Sequence, residues 1–92
     1  MPSIASGTKT VTTAGTRVAL VAAQSIAEGV VIVARIANTG AVFVGDVTVA
    51  STTNEGLQPG DQITIPGPIN LETIYIDAAT SGDKVDYYAT IR

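Results

Sequence analysis

The sequence predicts a single all-β domain, a small β-sandwich of about eight short antiparallel strands. Three observations carry that expectation. β-Branched Val, Ile and Thr dominate, and their stiff χ1 suits strands. Turn signals recur at short intervals: Ala14-Gly15, Glu28-Gly29, Asn38-Thr39-Gly40, Gly45-Asp46, Asn54-Glu55-Gly56, Pro59-Gly60-Asp61, Pro66-Gly67-Pro68 and Ser81-Gly82-Asp83. Between several of them apolar and polar residues alternate, as in strands with one dry and one wet face. Jelly-roll and immunoglobulin-like topologies fit these features equally.

The 92 residues suffice for one domain. Apolar residues make up 46% of the chain but aromatic ones only 4%, so the core is expected to be aliphatic. Residues 1–7 are small and mostly polar and read as a flexible N-terminal arm, ahead of a domain spanning 8–92. Strands are expected near 8–13, 16–22, 29–37, 41–44, 47–50, 61–65, 73–77 and 85–91. Residues 22–28 have room for one helical turn.

The clearest strand is Gln62-Ile63-Thr64-Ile65, with Ile63 and Ile65 inward. Pro59 and Gly60 before it fit a type II turn, because Gly tolerates the positive φ at the third position. Pro66, lacking an N–H, is expected to stop the ladder. Ile74 and Ile76 face inward in the next strand. The last strand sets Val85, Tyr87, Ala89 and Ile91 on one face and Asp86, Tyr88 and Thr90 on the other. These two strands are expected to form a hairpin around 78–83, registered by Asp77 against Lys84 rather than Asp86.

Residues 30–37 break the alternation. Val30, Ile32, Ala34 and Ile36 form one apolar face; Val31, Val33, Arg35 and Ala37 form a second, nearly as apolar. Such a strand is buried on both sides or presses one side against another chain. In a sandwich this small the outer face normally meets water, so the pattern points to a subunit interface. Cover by a loop or the N-terminal segment is the competing reading.

Composition excludes several chemistries. The chain has no Cys and no His, which removes disulfides, thiolate metal sites and the usual general base. A Ser81–Lys84 pair remains formally open, but Ser81 sits in a turn that uses its hydroxyl. Asp77, Asp83 and Asp86 have the carboxylates for glycoside hydrolysis or calcium binding, yet residues 77–83 are not an EF-hand loop, no Glu closes them, and turn roles account for these residues. No enzyme activity, cofactor or metal site is expected. The net charge of −3 and the scattered Lys9, Arg17, Arg35, Lys84 and Arg92 argue against nucleic acid. No signal peptide is visible, and no apolar run nears the roughly 20 residues a membrane helix requires. Tyr75 and Tyr88, placed outward on one hairpin, read first as a cross-strand packing pair, second as a protein interface and third as a sugar-stacking platform. Phe43 reads as core.

The order of motifs resembles a known group. It runs from Thr12-Thr13-Ala14-Gly15-Thr16 through Ala37-Asn38-Thr39-Gly40 and Val42-Phe43-Val44-Gly45. It continues with Gly56-Leu57-Gln58-Pro59-Gly60-Asp61-Gln62-Ile63-Thr64-Ile65 and ends with Ile74-Tyr75-Ile76-Asp77-Ala78. From about Thr8 onward this resembles small β-sandwich virion proteins of tailed bacteriophages, found in capsids, tails and fibres. These are turn motifs, so they specify fold better than role, and no catalytic residue comes with them. The resemblance implies a virion structural protein assembled in the host cytoplasm. Capsid decoration or cement is the nearest fit, with the major capsid protein or another virion protein as partner and a homotrimer as the oligomer. A tail, baseplate or head-fibre component and a carbohydrate-binding module are the alternatives. On this reading Val31, Val33 and Arg35 line a self-interface, Tyr75 and Tyr88 meet partners, and the arm, with Pro2, Ser3 and Ile4, extends a neighbour's strand.

Overall fold

The computed structural model describes residues 3–22, 24–49 and 56–91. Seven strands are present among them: β1 (Ser3–Thr10), β2 (Val18–Ala19), β3 (Ile26–Ala34), β4 (Val42–Gly45), β5 (Gln62–Asn70), β6 (Tyr75–Ala78) and β7 (Lys84–Ile91). The helical structure among the described residues is one 3₁₀ turn, Leu71–Thr73, capped by the Asn70 side chain, which accepts from the Glu72 N–H.

A four-stranded sheet runs β1-β7-β3-β5 and faces a three-stranded sheet, β2-β6-β4. All named pairs are antiparallel. Each strand lies in the opposite sheet from its predecessor, so no two consecutive strands pair. β1 pairs with β7, β2 with β6 and β3 with β5, like one long hairpin folded over, with β4 at its tip. This is the connectivity of a jelly roll with one strand fewer than the usual eight. An isolated bridge between Val42 and Leu57 stands beside β4, where the eighth strand would lie. An immunoglobulin-like order, which needs hairpins of consecutive strands, is ruled out.

Between the sheets lies an aliphatic core that includes Val11, Leu20, Val30, Ile32, Val42, Leu71, Ile74, Ile76 and Val85. The alternation of β7 is as expected: Val85 and Ala89 are buried, and Tyr87 and Ile91 pack against the core. Ile74 and Ile76 also point inward. The Pro59-Gly60 turn forms, with φ +91° at Gly60 and the Asp61 N–H donating to the Gln58 carbonyl.

Several expectations are corrected. Ser3–Gly7 is not an arm but the first part of β1, paired in register with β7 from Ser3↔Ile91 to Gly7↔Tyr87; Met1 and Pro2 lie outside the described residues. β6 and β7 do not form a hairpin. Residues 79–83 do turn, but they carry the chain from one sheet to the other, so Asp77 lies opposite Phe43 and Lys84 opposite Thr10. β3 begins at Ile26, where a helical turn had room to form, and ends at Ala34, so Ile36 swings out and is 85% exposed. The strand expected at 47–50 is instead a turn at 46–49, with the Val49 N–H bonded to the Asp46 carbonyl; Ala50 lies outside the described residues.

Pro66 does not end its strand. β5 is an edge strand, where a missing N–H costs no ladder bond. It continues through Pro66-Gly67-Pro68 over a register shift opposite residues 27–29, with a cis Gly67–Pro68 bond. Gly67 is fixed there by contact: a Cβ would lie 2.4 Å from the Ala27 carbonyl oxygen and the Glu28 backbone. Gly67→Ala is therefore expected to destabilise the fold by about 2–3 kcal/mol, the usual cost of overpacking. Ile36→Ala, at a solvated turn, should stay within about 0.5 kcal/mol. Urea titration of both variants checks the contrast.

Candidate functional site

The topology gathers most of the singled-out residues on one surface, the outer face of the four-stranded sheet. In β3 the core takes Val30, Ile32 and Ala34, so Val31 and Val33 point outward and are half-buried. Register sets rows across the four strands. Ser6, Tyr88, Val31 and Thr64 form one; Thr8, Asp86, Val33 and Gln62 form the next; Ile4 and Thr90 lie at the other end beside Gly29 and Pro66. Tyr88 is 51% exposed and Ile4 80%. Residues on one face of neighbouring strands lie about 5 Å apart, so these rows make a continuous surface.

Two shallow depressions flank the valines. One, of about 370 Å³, is lined by Val31, Thr64, Pro66, Tyr88 and Thr90 among others. The other, of about 400 Å³, is lined by Val33, Arg35, Ile36, Gly60 and Asp86 among others. Both are open apolar grooves rather than enclosed cavities.

A polar clasp closes one end of this face. Arg35, just past β3, holds Asp86 of β7 with its Nε 3.0 and 3.1 Å from the two carboxylate oxygens. Its Nη2 donates to Thr8 Oγ1 at 3.2 Å, and the Thr8 hydroxyl donates to Asp86 Oδ1 at 2.6 Å. The clasp thus spans three strands. It holds the Asp86 carboxyl below the ordinary carboxylate range, chiefly through the Thr8 hydroxyl, against the opposing effect of partial burial and with help from Arg35.

Tyr75 is elsewhere. Ile76 and Ala78 of β6 face the core, so Tyr75 and Asp77 lie on the outer face of the other sheet, on the far side of the sandwich. The expected tyrosine pair does not exist, because its two strands belong to different sheets. Phe43 is buried, but on that same outer face, where Gly56 lies against its ring.

The carboxylates weighed as catalytic or calcium ligands have structural partners. Asp83 is buried and accepts from the N–H groups of Thr39 and Gly40, both at 2.9 Å. Asp77, also buried, accepts from the N–H groups of Gly15 and Ala78. Ser81 Oγ accepts from the Ala14 N–H. Asn38 pairs with the Lys84 backbone as a strand would, accepting from its N–H and donating to its carbonyl. Together they stitch the crossovers at 11–17, 35–41 and 79–83 at one end of the sandwich. No group of three or more acidic side chains is placed to hold a metal ion among the described residues, and no described helix is long and apolar enough to cross a membrane.

Of the residues read from the sequence as contact residues, Val31, Val33, Arg35, Tyr88 and Ile4 fall on this face; Thr8, Thr64, Pro66 and Ile36, also on it or lining its depressions, were not read as contact residues. The parity of β7 had already put Asp86 and Thr90 beside Tyr88. What was missing was the order of the strands around β7 and β3, and no local signal names it. No family model matches the chain, and no curated protein matches it.

Two outcomes follow. Asp83→Ala strands two backbone donors and is expected to cost about 2–4 kcal/mol in chemical denaturation. Because the folded pKa of Asp86 is depressed, its contribution is complete above about pH 4 and is lost as pH falls through the folded value. Asp86→Asn should therefore flatten the acid limb of the stability–pH profile and leave its shape above about pH 5 unchanged. An unaltered acid limb would contradict the clasp.

Proposed function

We propose that the chain is a structural subunit of a bacteriophage virion, most simply a capsid decoration protein that binds the major capsid protein across joints of the shell. The observation that carries this reading is the outer face of the four-stranded sheet, where half-buried Val31 and Val33 lie with the exposed Tyr88 and Ile4. A soluble sandwich of this size gains nothing from exposing it, whereas a partner surface would bury it. The jelly-roll order, common in viral shells, agrees with the motif resemblance but does not assign a role by itself. Attachment would be physical: apolar contacts at the centre, the Arg35–Asp86–Thr8 clasp at the rim, and many copies acting together through effective concentration. No catalytic step and no cofactor belong to this reading.

A tail, baseplate or head-fibre position uses the same face. Immunogold labelling of purified particles separates the two, since decoration covers the head and the alternative marks one end or thin projections. The sugar-binding reading loses the paired tyrosines on which it rested.

The test is rebinding of purified chain to particles stripped of it. Tyr88→Ala is expected to weaken binding about 30-fold, the loss typical of an aromatic anchor, with unchanged melting of the free chain. Val31→Asp, which places a charge at the centre of the contact, should weaken it at least as much. Absence of the chain from purified particles would end the virion reading.

A further inference from the structure

The sandwich has four strand edges, and three are closed to further pairing. β2 is two residues long. β4 is met by Leu57, whose N–H and carbonyl both bond Val42. β5 is interrupted by Pro66, Pro68 and its register shift. These are the devices by which folded proteins blunt their edges.

β1 has none of these three. It is eight residues long, without proline, and runs in unbroken register with β7. Among the described residues, no backbone–backbone hydrogen bond is made along its free edge. Its one charge, Lys9, lies on the core-facing side next to the strand's last residue, so it guards that end and leaves Ser3–Thr8 bare. At the same edge Ile4 is 80% exposed on the outer face.

We propose that β1 pairs edge to edge with β1 of a second copy, antiparallel about a twofold axis near Ser6. Two four-stranded sheets then become one of eight. A second copy fits because an antiparallel edge is self-complementary, and one such edge per chain closes the assembly at two. Charge placement agrees. With the axis at Ser6, each Lys9 lies opposite Ser3 of its mate, and the two ammonium groups stand about 20 Å apart. The same register sets Ile4 beside Thr8 of the mate and covers its open flank. Both outer apolar faces then look the same way, ready for one partner surface. The contact gives a dimer, where the motif resemblance implies a trimer. It rests on the edge alone and stands or falls separately from the virion assignment.

Light scattering and sedimentation of the full chain, from dilute to roughly 1 mM, test it. The expected result is a monomer–dimer equilibrium, with hydrogen exchange of β1 amides slowing as concentration rises. Ser6→Lys sets two ammonium groups face to face and should weaken the dimer about fivefold to tenfold at low salt, less at high salt. Ser6→Glu should do the same, and mixing the two variants should restore the dimer. Thr64→Lys, on the β5 edge of the same face, should leave it unchanged. Melting of dilute samples checks that each variant folds. A monomer at every concentration, a trimer, or a dimer that Thr64→Lys breaks and Ser6→Lys does not would each overturn the proposal. Particle binding by a chain that stays monomeric would overturn it while sparing the virion reading.

Discussion

β7 is the strand on which the remainder of the fold is laid out. It lies between β1 and β3, so the last strand of the chain joins the first to the third. Each named pair joins segments distant in sequence, so no hairpin of consecutive named strands can form first and hold the rest. Loop-closure entropy therefore opposes every pair until several have formed, which favours slow, cooperative folding. What offsets it is concentrated at the crossovers. Asp83, Asp77 and Ser81 take up backbone N–H groups from the connections at 39–40 and 14–15, and Asn38 ties its own connection to the Lys84 backbone. Small polar residues at turns, which look incidental along the chain, hold the roll closed.

The same layout makes the two outer faces unequal. On the three-stranded sheet Asp77 is buried beneath the Gly15 turn, and Phe43 lies under Gly56, so connections cover its middle. On the four-stranded sheet the crossovers leave at the ends of the strands. Among the described residues, Val31 and Val33 are shielded sideways, by Tyr88, Thr64 and Asp86 in the neighbouring strands. This contrast between the described residues of the two faces is the ground on which the proposed contact is placed on the four-stranded side.

How much of this is legible in the sequence depends on the range of the interaction. Period-two alternation finds the inward sides of β6 and β7, because a strand's faces depend only on its own residues. The Pro59-Gly60 turn is found for the same reason. The doubly apolar stretch at 30–37 correctly marks Val31 and Val33 as outward and unusual. What fails is pairing. A turn at 79–83 looks the same whether the chain returns to its own sheet or crosses to the other, so Tyr75 and Tyr88 are wrongly joined. Pro66 misleads for a related reason: whether a proline ends a strand depends on whether that strand is central or at an edge, which local sequence does not encode. Ser3–Gly7 reads as an arm because Ser, Ala and Gly carry little strand preference, and only its partner β7 orders it.

That last correction bears on function. A flexible arm would lose conformational entropy on binding, which weakens the affinity gained per unit of area. β1 is instead held in place before any partner arrives. Its backbone is paired with β7 along its length, and the Thr8 hydroxyl ties it through Asp86 to Arg35 beyond β3. The clasp therefore does two things at once. It fixes the edge strand against the two strands behind it, and it sets a charged boundary at one end of a face where Val31, Val33, Tyr88 and Ile4 lie among uncharged polar residues. A partner meeting this surface finds an edge and a face already in fixed relation, so most of the ordering cost has been met by folding. On the proposed reading, an ordered edge and face would lose less entropy on contact than a disordered arm in the same place.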